Sequence, residues 1–300
     1  MGYKFGYVGL IGRANAGKST LINALVGQKV AIISPKPQTT RNNILGILTE
    51  NNYQIAFIDT PGIHTSKNVL DKYMMKNVRS ALGGADVVVY LIDGTKSLDE
   101  NEKEYVKKLI QDGLSIIIAV TKIDLAGKNK VFALLAGLND IAGVLDIVPI
   151  SSLQNKNIDI LKSAILKQLP ESKEKNFGFN EDEFTDKSLI FMICETIRET
   201  ALNLYSDEIP HGLAIEVIKF EEKEHITNID VDIICERDTH KSIILGAKGS
   251  KIKKLGENAR HKIEELLDCK IMLKLFVKVE PNWRNNPNNL TDFGYNSKFE

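Results

Sequence analysis

A chain of 300 residues with 43% hydrophobic content is long enough for two domains that each bury a core. Its 39 Lys and Arg balance 39 Asp and Glu, so no uniform basic field attracts a polyanion to the whole surface. The charge is uneven instead: acids outnumber bases over 171–237, whereas 241–278 carries ten Lys/Arg against four Asp/Glu. That reversal sets a basic surface beside a neutral or acidic body, or else marks an ordinary solvated helix face. No apolar run reaches the roughly 18 residues of a membrane span, and the N-terminal pattern is not that of a signal peptide. Cys194, Cys235 and Cys269 lack the spacing of a zinc site or a disulfide framework, and read as buried thiols of a cytosolic protein.

Short β-branched runs at 5–10, 53–59, 87–93, 115–121 and 148–150 predict strands; helical periodicity at 18–26, 69–82, 101–111 and 158–169 predicts helices between them. Strands alternating with helices imply an α/β domain, a mostly parallel sheet with helices on both faces. In such a sheet, ligands bind at the carboxyl ends of the strands. Pro170 closes this domain at 1–170, and the polar stretch 171–186 reads as a linker. A smaller α+β domain follows over 187–300: a helix at 189–205, strands at 213–220 and 227–236, a helical pair around a glycine turn, and a strand at 270–279.

The first strand runs directly into Gly12-Arg-Ala-Asn-Ala-Gly17-Lys18-Ser19, which fits G-x-x-x-x-G-K-[ST] and opens a helix. Strand, loop and helix together define a P-loop. Its glycines let backbone N–H groups curl around phosphates, and the helix N-terminus adds a favourable field. Gly12, Asn15, Ala16, Gly17, Lys18, Ser19 and Thr20 are therefore candidate nucleotide contacts, with Lys18 neutralising β/γ-phosphate charge and Ser19 ligating Mg²⁺. About 40 residues on, Asp59-Thr-Pro-Gly62 fits D-x-x-G: Asp59 is placed to hold Mg²⁺ through water, and the Gly62 amide to bond the γ-phosphate. Lys18, Asp59 and Gly62 are therefore expected catalytic residues for hydrolysis of the bound nucleotide.

Thr121-Lys122-Ile123-Asp124 ends an apolar strand. The Asp124 carboxylate can accept both donors of the guanine edge, a pair that adenine lacks. Guanine-binding proteins of this type usually carry Asn where this chain has Thr121, whose hydroxyl keeps part of the bracing role. Ser151, Ser152 and Leu153 follow the next strand and fit the supporting loop whose backbone faces the base.

Pro37-Gln-Thr-Thr-Arg41, Asp59-Thr-Pro-Gly62-Ile63-His64, Thr185-Asp-Lys-Ser188 and the tail residues Asn282-Trp283-Arg284 and Phe293-Gly-Tyr295 resemble the Era family, bacterial GTPases with a C-terminal KH domain. The chain departs at Ala14 and Ala16, where that family usually has Pro and Val, and at Thr121. The resemblance implies that Thr40, rather than its neighbour Thr39, reaches Mg²⁺ and the γ-phosphate, and so joins Lys18, Asp59 and Gly62 as the catalytic set for hydrolysis of GTP to GDP and phosphate. It puts Ile63 where many GTPases carry a water-orienting Gln, and Asn15 where related enzymes help bind K⁺. Slow, potassium-assisted hydrolysis follows from those two positions.

Ile243 to Ile252 contains Gly246-Ala247-Lys248-Gly249, a G-x-x-G between two helices, with Ser250, Lys251 and Lys254 beside it. KH domains clamp single-stranded nucleic acid on such a loop. Bare glycines admit the sugar–phosphate backbone and lysines attract the phosphates, while Ile243, Ile244 and Ile252 would floor the groove beneath the bases. Two strands before the loop and one after it look like the second KH topology. By resemblance the target is the 3′ end of small-subunit ribosomal RNA, and the role is assembly of the small ribosomal subunit. The rival reading is a nucleotide-gated RNA-binding module whose hydrolysis is incidental. A monomer is expected, cytoplasmic, with peripheral contact to the inner face of the cell membrane left open.

Overall fold

The computed structural model describes residues 2–206 and 209–295. The chain forms two units, one of residues 1–65 and 74–186, the other of 66–73 and 187–300. Residues 207, 208 and 296–300 of the expected C-terminal domain lie outside the described residues.

The first unit is built on a seven-stranded sheet. Strands β1 (Tyr3–Gly12), β2 (Ile44–Glu50), β3 (Tyr53–Asp59), β4 (Val87–Asp93), β5 (Ile116–Thr121) and β6 (Val144–Pro149) lie in the order β2-β3-β1-β4-β5-β6. The two-residue β7 (Glu171–Ser172) pairs with the start of β1. The connecting helices are α1 (Lys18–Val26), α2 (Val69–Gly83), α3 (Glu100–Gln111), α4 (Lys128–Asn139) and α5 (Ile158–Gln168). Pairing is parallel except for β2 against β3 and β7 against β1. All seven residues of β4 are buried, the signature of a strand covered on both faces. Val78, Val106, Leu109, Leu134 and Leu138 from α2, α3 and α4 pack with Tyr90, Ile92, Ile118 and Val120 of the sheet. Each such burial is worth about 1.5–3 kcal/mol.

Register brings the carboxyl ends together. Leu10 lies beside Asp59, Gly12 beside Leu91, Asp93 beside Thr121, and Val120 beside Pro149. In the first unit, β2 and α4 have no counterpart among the predicted elements, and neither does the short β7. Gly46 interrupts the β-branched run of β2, and α4 carries an exposed Phe132 that blurs its apolar stripe.

The expected linker 171–186 is not a free tether, and it groups with the first unit. Phe179 exchanges two hydrogen bonds with the buried Gln54 side chain, at 2.9 and 3.0 Å. Its ring meets Phe5 and Tyr7 edge-on, with centroids 6.4 and 6.3 Å away. The Ile47 amide donates to the Phe184 carbonyl at 2.9 Å, and the Leu45 amide to Asp186 Oδ1 at 2.9 Å. Phe177, edge-on to Tyr3, and Phe179 anchor a stretch whose low aliphatic content predicts a linker.

In the second unit, Ser188 Oγ caps α6 (Leu189–Leu204) by accepting from the Phe191 amide at 3.2 Å. Then come β8 (Ala214–Glu222), β9 (Thr227–Cys235), α7 (Asp238–Leu245), α8 (Ser250–Leu267), β10 (Ile271–Val279) and α9 (Pro287–Asp292). The sheet order is β10-β9-β8, with β10 parallel and β8 antiparallel to β9. Ile193, Ile197 and Ala201 from α6, with Leu255, Ala259 and Ile263 from α8, close over Ile229, Val231 and Ile233. This is the second KH topology. Cys235 is buried and Cys194 partly so, but Cys269 is exposed, contrary to the expectation of three buried thiols. Burial pushes the Cys194 thiol up to about 12. Among the described residues, no helix is long and apolar enough to cross a membrane.

Candidate nucleotide site and nucleic-acid interface

The loop after β1 turns through two left-handed residues, Asn15 (φ 63°) and Gly17 (φ 95°), and the Ala16 amide closes it on the Arg13 carbonyl at 3.2 Å. Gly17 caps α1 without any side-chain hydrogen bond, which leaves first-turn amides available to an anion. Lys18 is buried, and its Nζ donates to the Gly12 and Arg13 carbonyls, each at 3.1 Å. Burial lowers its pKa to about 8, against the opposing field of Asp59. A buried ammonium held by carbonyls alone is costly; phosphate oxygens offset that cost.

Three groups converge beside it. Ser19 Oγ donates to Asp59 Oδ2 at 2.8 Å, Thr40 Oγ1 donates to the same oxygen at 3.1 Å, and the two hydroxyls lie 2.9 Å apart. Asp59 is fully buried and its Oδ1 has no hydrogen-bond partner among the described residues. Burial raises the Asp59 pKa, while Lys18, Ser19 and Thr40 counter it. Two hydroxyls and a carboxylate with an unpartnered buried oxygen fit a small hard cation. Thr39 is turned elsewhere: its hydroxyl donates to the Lys36 carbonyl at 2.6 Å.

Gly62 lies against the phosphate loop so closely that a Cβ would stand 2.7 Å from Ala14 Cα, which demands glycine. The next amide, of Ile63, donates to the Gly12 carbonyl at 3.1 Å, while the Ile63 side chain packs against the core. That side chain has no means to orient water.

At the base end, Thr121 Oγ1 lies 2.8 Å from the Ala16 carbonyl and 3.2 Å from the Ile92 carbonyl, so one hydroxyl braces the phosphate loop. Lys122 Nζ donates to the Asn15 carbonyl and to Asp93 Oδ2, both at 2.7 Å. A cleft of about 320 Å³ is lined by Asn15, Gly17, Lys18, Ser19, Thr20, Thr39, Thr40, Gly62 and Lys122 together with the 32–35 segment. Asp124, Ser151, Ser152 and Leu153 lie outside that lining. The Ile123 amide donates to the Ile150 carbonyl at 3.3 Å, which joins the two loops at their bases. Sequence reasoning missed Asp93; an acid ending an apolar strand at the site edge was the available signal.

The second candidate site is the Gly246–Gly249 turn. Gly246 (φ 70°), Lys248 (φ 49°) and Gly249 (φ 76°) all have positive φ, and Gly249 caps α8 without a side-chain hydrogen bond. Ala247, Lys248, Ser250, Lys251 and Lys254 are exposed, and Ile243 is 44% exposed. Ile252 is partly buried against the core. Ile244 corrects the sequence expectation. It is 0% exposed in the core, and its carbonyl accepts from Tyr205 Oη at 3.0 Å, so its side chain is not part of an accessible groove floor. Trp283 is also buried, donating to the Gly212 carbonyl at 3.0 Å and stacking on Tyr295, and Arg284 pairs with Glu236.

A phosphate loop closed by D-x-x-G and braced by T-K-x-D, on a mostly parallel sheet, defines a P-loop GTPase, here carrying a KH unit. Residues 7–122 match the family of 50S ribosome-binding GTPases, and 208–284 match the KH domain family. The chain is 40% identical over 294 residues to GTPase Era of Clostridium botulinum, covering 98% of each protein. It is also 40% identical over 296 residues to GTPase Era of Ruminiclostridium cellulolyticum, again covering 98% of both. A crystal structure of an Aquifex aeolicus Era variant with GDP and AlF4⁻ superposes with TM-score 0.92 at 37% identity, covering 97% of this chain and 99% of that one. Another, of Era with MgGDPNP and nucleotides 1506–1542 of 16S ribosomal RNA, gives the same TM-score and identity over 98% and 99%. The chain belongs to the Era GTPase family.

Proposed function

We propose that this GTPase is a GTP-controlled switch that binds single-stranded RNA at the 3′ end of small-subunit rRNA and acts in small-subunit assembly in the cytoplasm. The observation that carries the reading is the closure of Thr40 and Asp59 on Ser19 in a chain that also presents the Gly246–Gly249 turn. The Era complex with MgGDPNP and 16S RNA supports the pairing of nucleotide and RNA in one molecule.

In this reading residues 1–170 hold the nucleotide, 171–186 form a strap, and 187–300 hold RNA. Gly12, Asn15, Ala16, Gly17, Lys18, Ser19 and Thr20 wrap the phosphates, and Gly62 meets the γ-phosphate. Ser19 and Thr40 hydroxyls, with Asp59 through water, would hold Mg²⁺, which neutralises β/γ-phosphate charge. Asp124 recognises guanine over the backbone of Ser151, Ser152 and Leu153, and the Lys122 stem lies along the base. Asn15 Nδ2 donates to the Pro35 carbonyl at 2.6 Å, so its amide oxygen is the atom to offer K⁺. With Ile63 unable to position water, intrinsic turnover is slow and rises in K⁺ over Na⁺. On the RNA side, Gly246 to Ser250 meet the sugar–phosphate backbone, Lys248, Lys251 and Lys254 attract it, and Ile243 and Ile252 flank the bases.

The test is binding of a 3′-terminal small-subunit rRNA segment in GDP and in a non-hydrolysable GTP analogue, across several salt concentrations. Tighter binding with the analogue, weakening steeply with salt, is expected. Equal binding in both nucleotides removes the switch; no binding at any salt removes the RNA target.

A further inference from the structure

Asp93, the last residue of β4, sits in register with Thr121 but belongs to none of the nucleotide motifs. We infer that Asp93 is a positioning residue for guanine nucleotides: by fixing Lys122 it sets the binding of GTP and GDP alike, without entering phosphoryl transfer. This rests on the reading of Lys122 as a nucleotide-facing side chain.

Both carboxylate oxygens of Asp93 are engaged. Oδ1 accepts from the Thr95 amide at 3.0 Å and from Thr95 Oγ1 at 2.6 Å, and Oδ2 accepts from Lys122 Nζ at 2.7 Å. The side chain is 8% exposed, so the carboxylate cannot swing away into water. Burial alone would raise its pKa, but the hydrogen bonds from Lys122 and Thr95 outweigh that and hold it below the ordinary range. It is a charged, locked acceptor.

Lys122 needs such an anchor. Its backbone is left-handed (φ 58°), and its long stem has many rotamers to lose. Pinned to Asp93 at the β4 end and to the Asn15 carbonyl of the phosphate loop, the ammonium stretches that stem across one wall of the cleft. The base is remote from the bond being broken, so a contact to it is equal in ground and transition states. Losing it raises KM and leaves kcat unchanged.

Asp93→Asn tests this with nearly the same shape. The amide keeps an oxygen for Thr95 and removes the charge facing Lys122. Steady-state GTP hydrolysis should show KM raised roughly tenfold, GDP Kd raised equally, and kcat within about twofold of the parent. In a Lys122→Met background, which keeps the stem and loses the ammonium, the same substitution should change KM by less than about twofold. A merely structural Asp93 would lower the active fraction, and so kcat, in both backgrounds without raising KM. An unchanged KM, or an equal rise with and without the Lys122 ammonium, overturns the inference. If Lys122→Met alone leaves KM and GDP Kd unaltered, the underlying reading of Lys122 fails instead.

Discussion

The two glycine turns of this molecule begin alike and end differently. Gly17 and Gly249 both adopt left-handed φ, both cap a helix, and neither is joined by a capping side chain. Around Gly17 the side chains are buried and hydrogen-bonded, Thr40 to Asp59 and both Lys18 and Thr121 to backbone carbonyls, and all four are 6% exposed or less. Around Gly249, Ala247, Lys248, Ser250 and Lys251 face solvent. A backbone turn at a helix N-terminus is a general means of approaching phosphate. What surrounds the turn decides between chemistry and holding. Buried, preorganised charge can act on a transition state; exposed lysines supply screened, sequence-tolerant attraction.

The largest effect should come from Lys18→Ala. Single-turnover GTP hydrolysis should fall by about 100-fold or more, while RNA affinity measured with GDP stays within about twofold. A parallel loss of RNA affinity would mean that the two turns are not separate devices. The same variant distinguishes a hydrolysis-driven assembly factor from an RNA binder whose hydrolysis is incidental: stalled subunit maturation with intact RNA binding favours the former.

Gly249→Asp is the reciprocal experiment. A Cβ there meets nothing nearer than 4.0 Å, so the penalty comes from positive φ and from the added carboxylate, not from a clash. RNA affinity should drop by something on the order of tenfold or more, and more at low salt, with basal GTP turnover unaltered. Smaller again is the contrast between neighbours in the 37–41 segment. Thr40→Ala should slow hydrolysis by about tenfold, and Thr39→Ala by no more than about threefold, because only Thr40 turns towards Asp59. Equal effects would blur the buried architecture that sets the first turn apart.

The smallest effect sharpens the contrast within the second unit itself. Cys194 has its pKa raised to about 12, so it stays a protonated, unreactive thiol until pH approaches that value. Cys235 is buried and Cys269 exposed. Iodoacetamide at about pH 8 should therefore add one group, at Cys269, by intact and peptide mass spectrometry. Modification of Cys194 or Cys235 in the folded protein would show that this core opens readily.

Much of this could be read from residues because phosphate loops carry their meaning locally. Lys18 and Ser19 are recognisable from spacing, and the strand before them from its apolar run. Ile244 was not legible in that way. In Ile243-Ile244-Leu245 the composition is uniformly apolar, and only the packing of the eight-residue α7 decides which side chain turns inward. Asp93 escaped for another reason: its importance lies in meeting Lys122, 29 positions later, and spacing along a chain says nothing about which strand ends are adjacent. The 171–186 stretch misled through composition, since a few aromatic residues anchor it where aliphatic ones are sparse.

That strap has a consequence for solubility. β2 is the outer strand beside β3, and an open outer strand offers a ready template for a strand from another molecule. Here Leu45, Gly46 and Ile47 are met by Asp186, Thr185 and Phe184 of the same chain. The connection between the units thus doubles as a guard against edge-to-edge aggregation, and a proteolytic cut within it would leave the nucleotide unit with a margin that adheres to other copies.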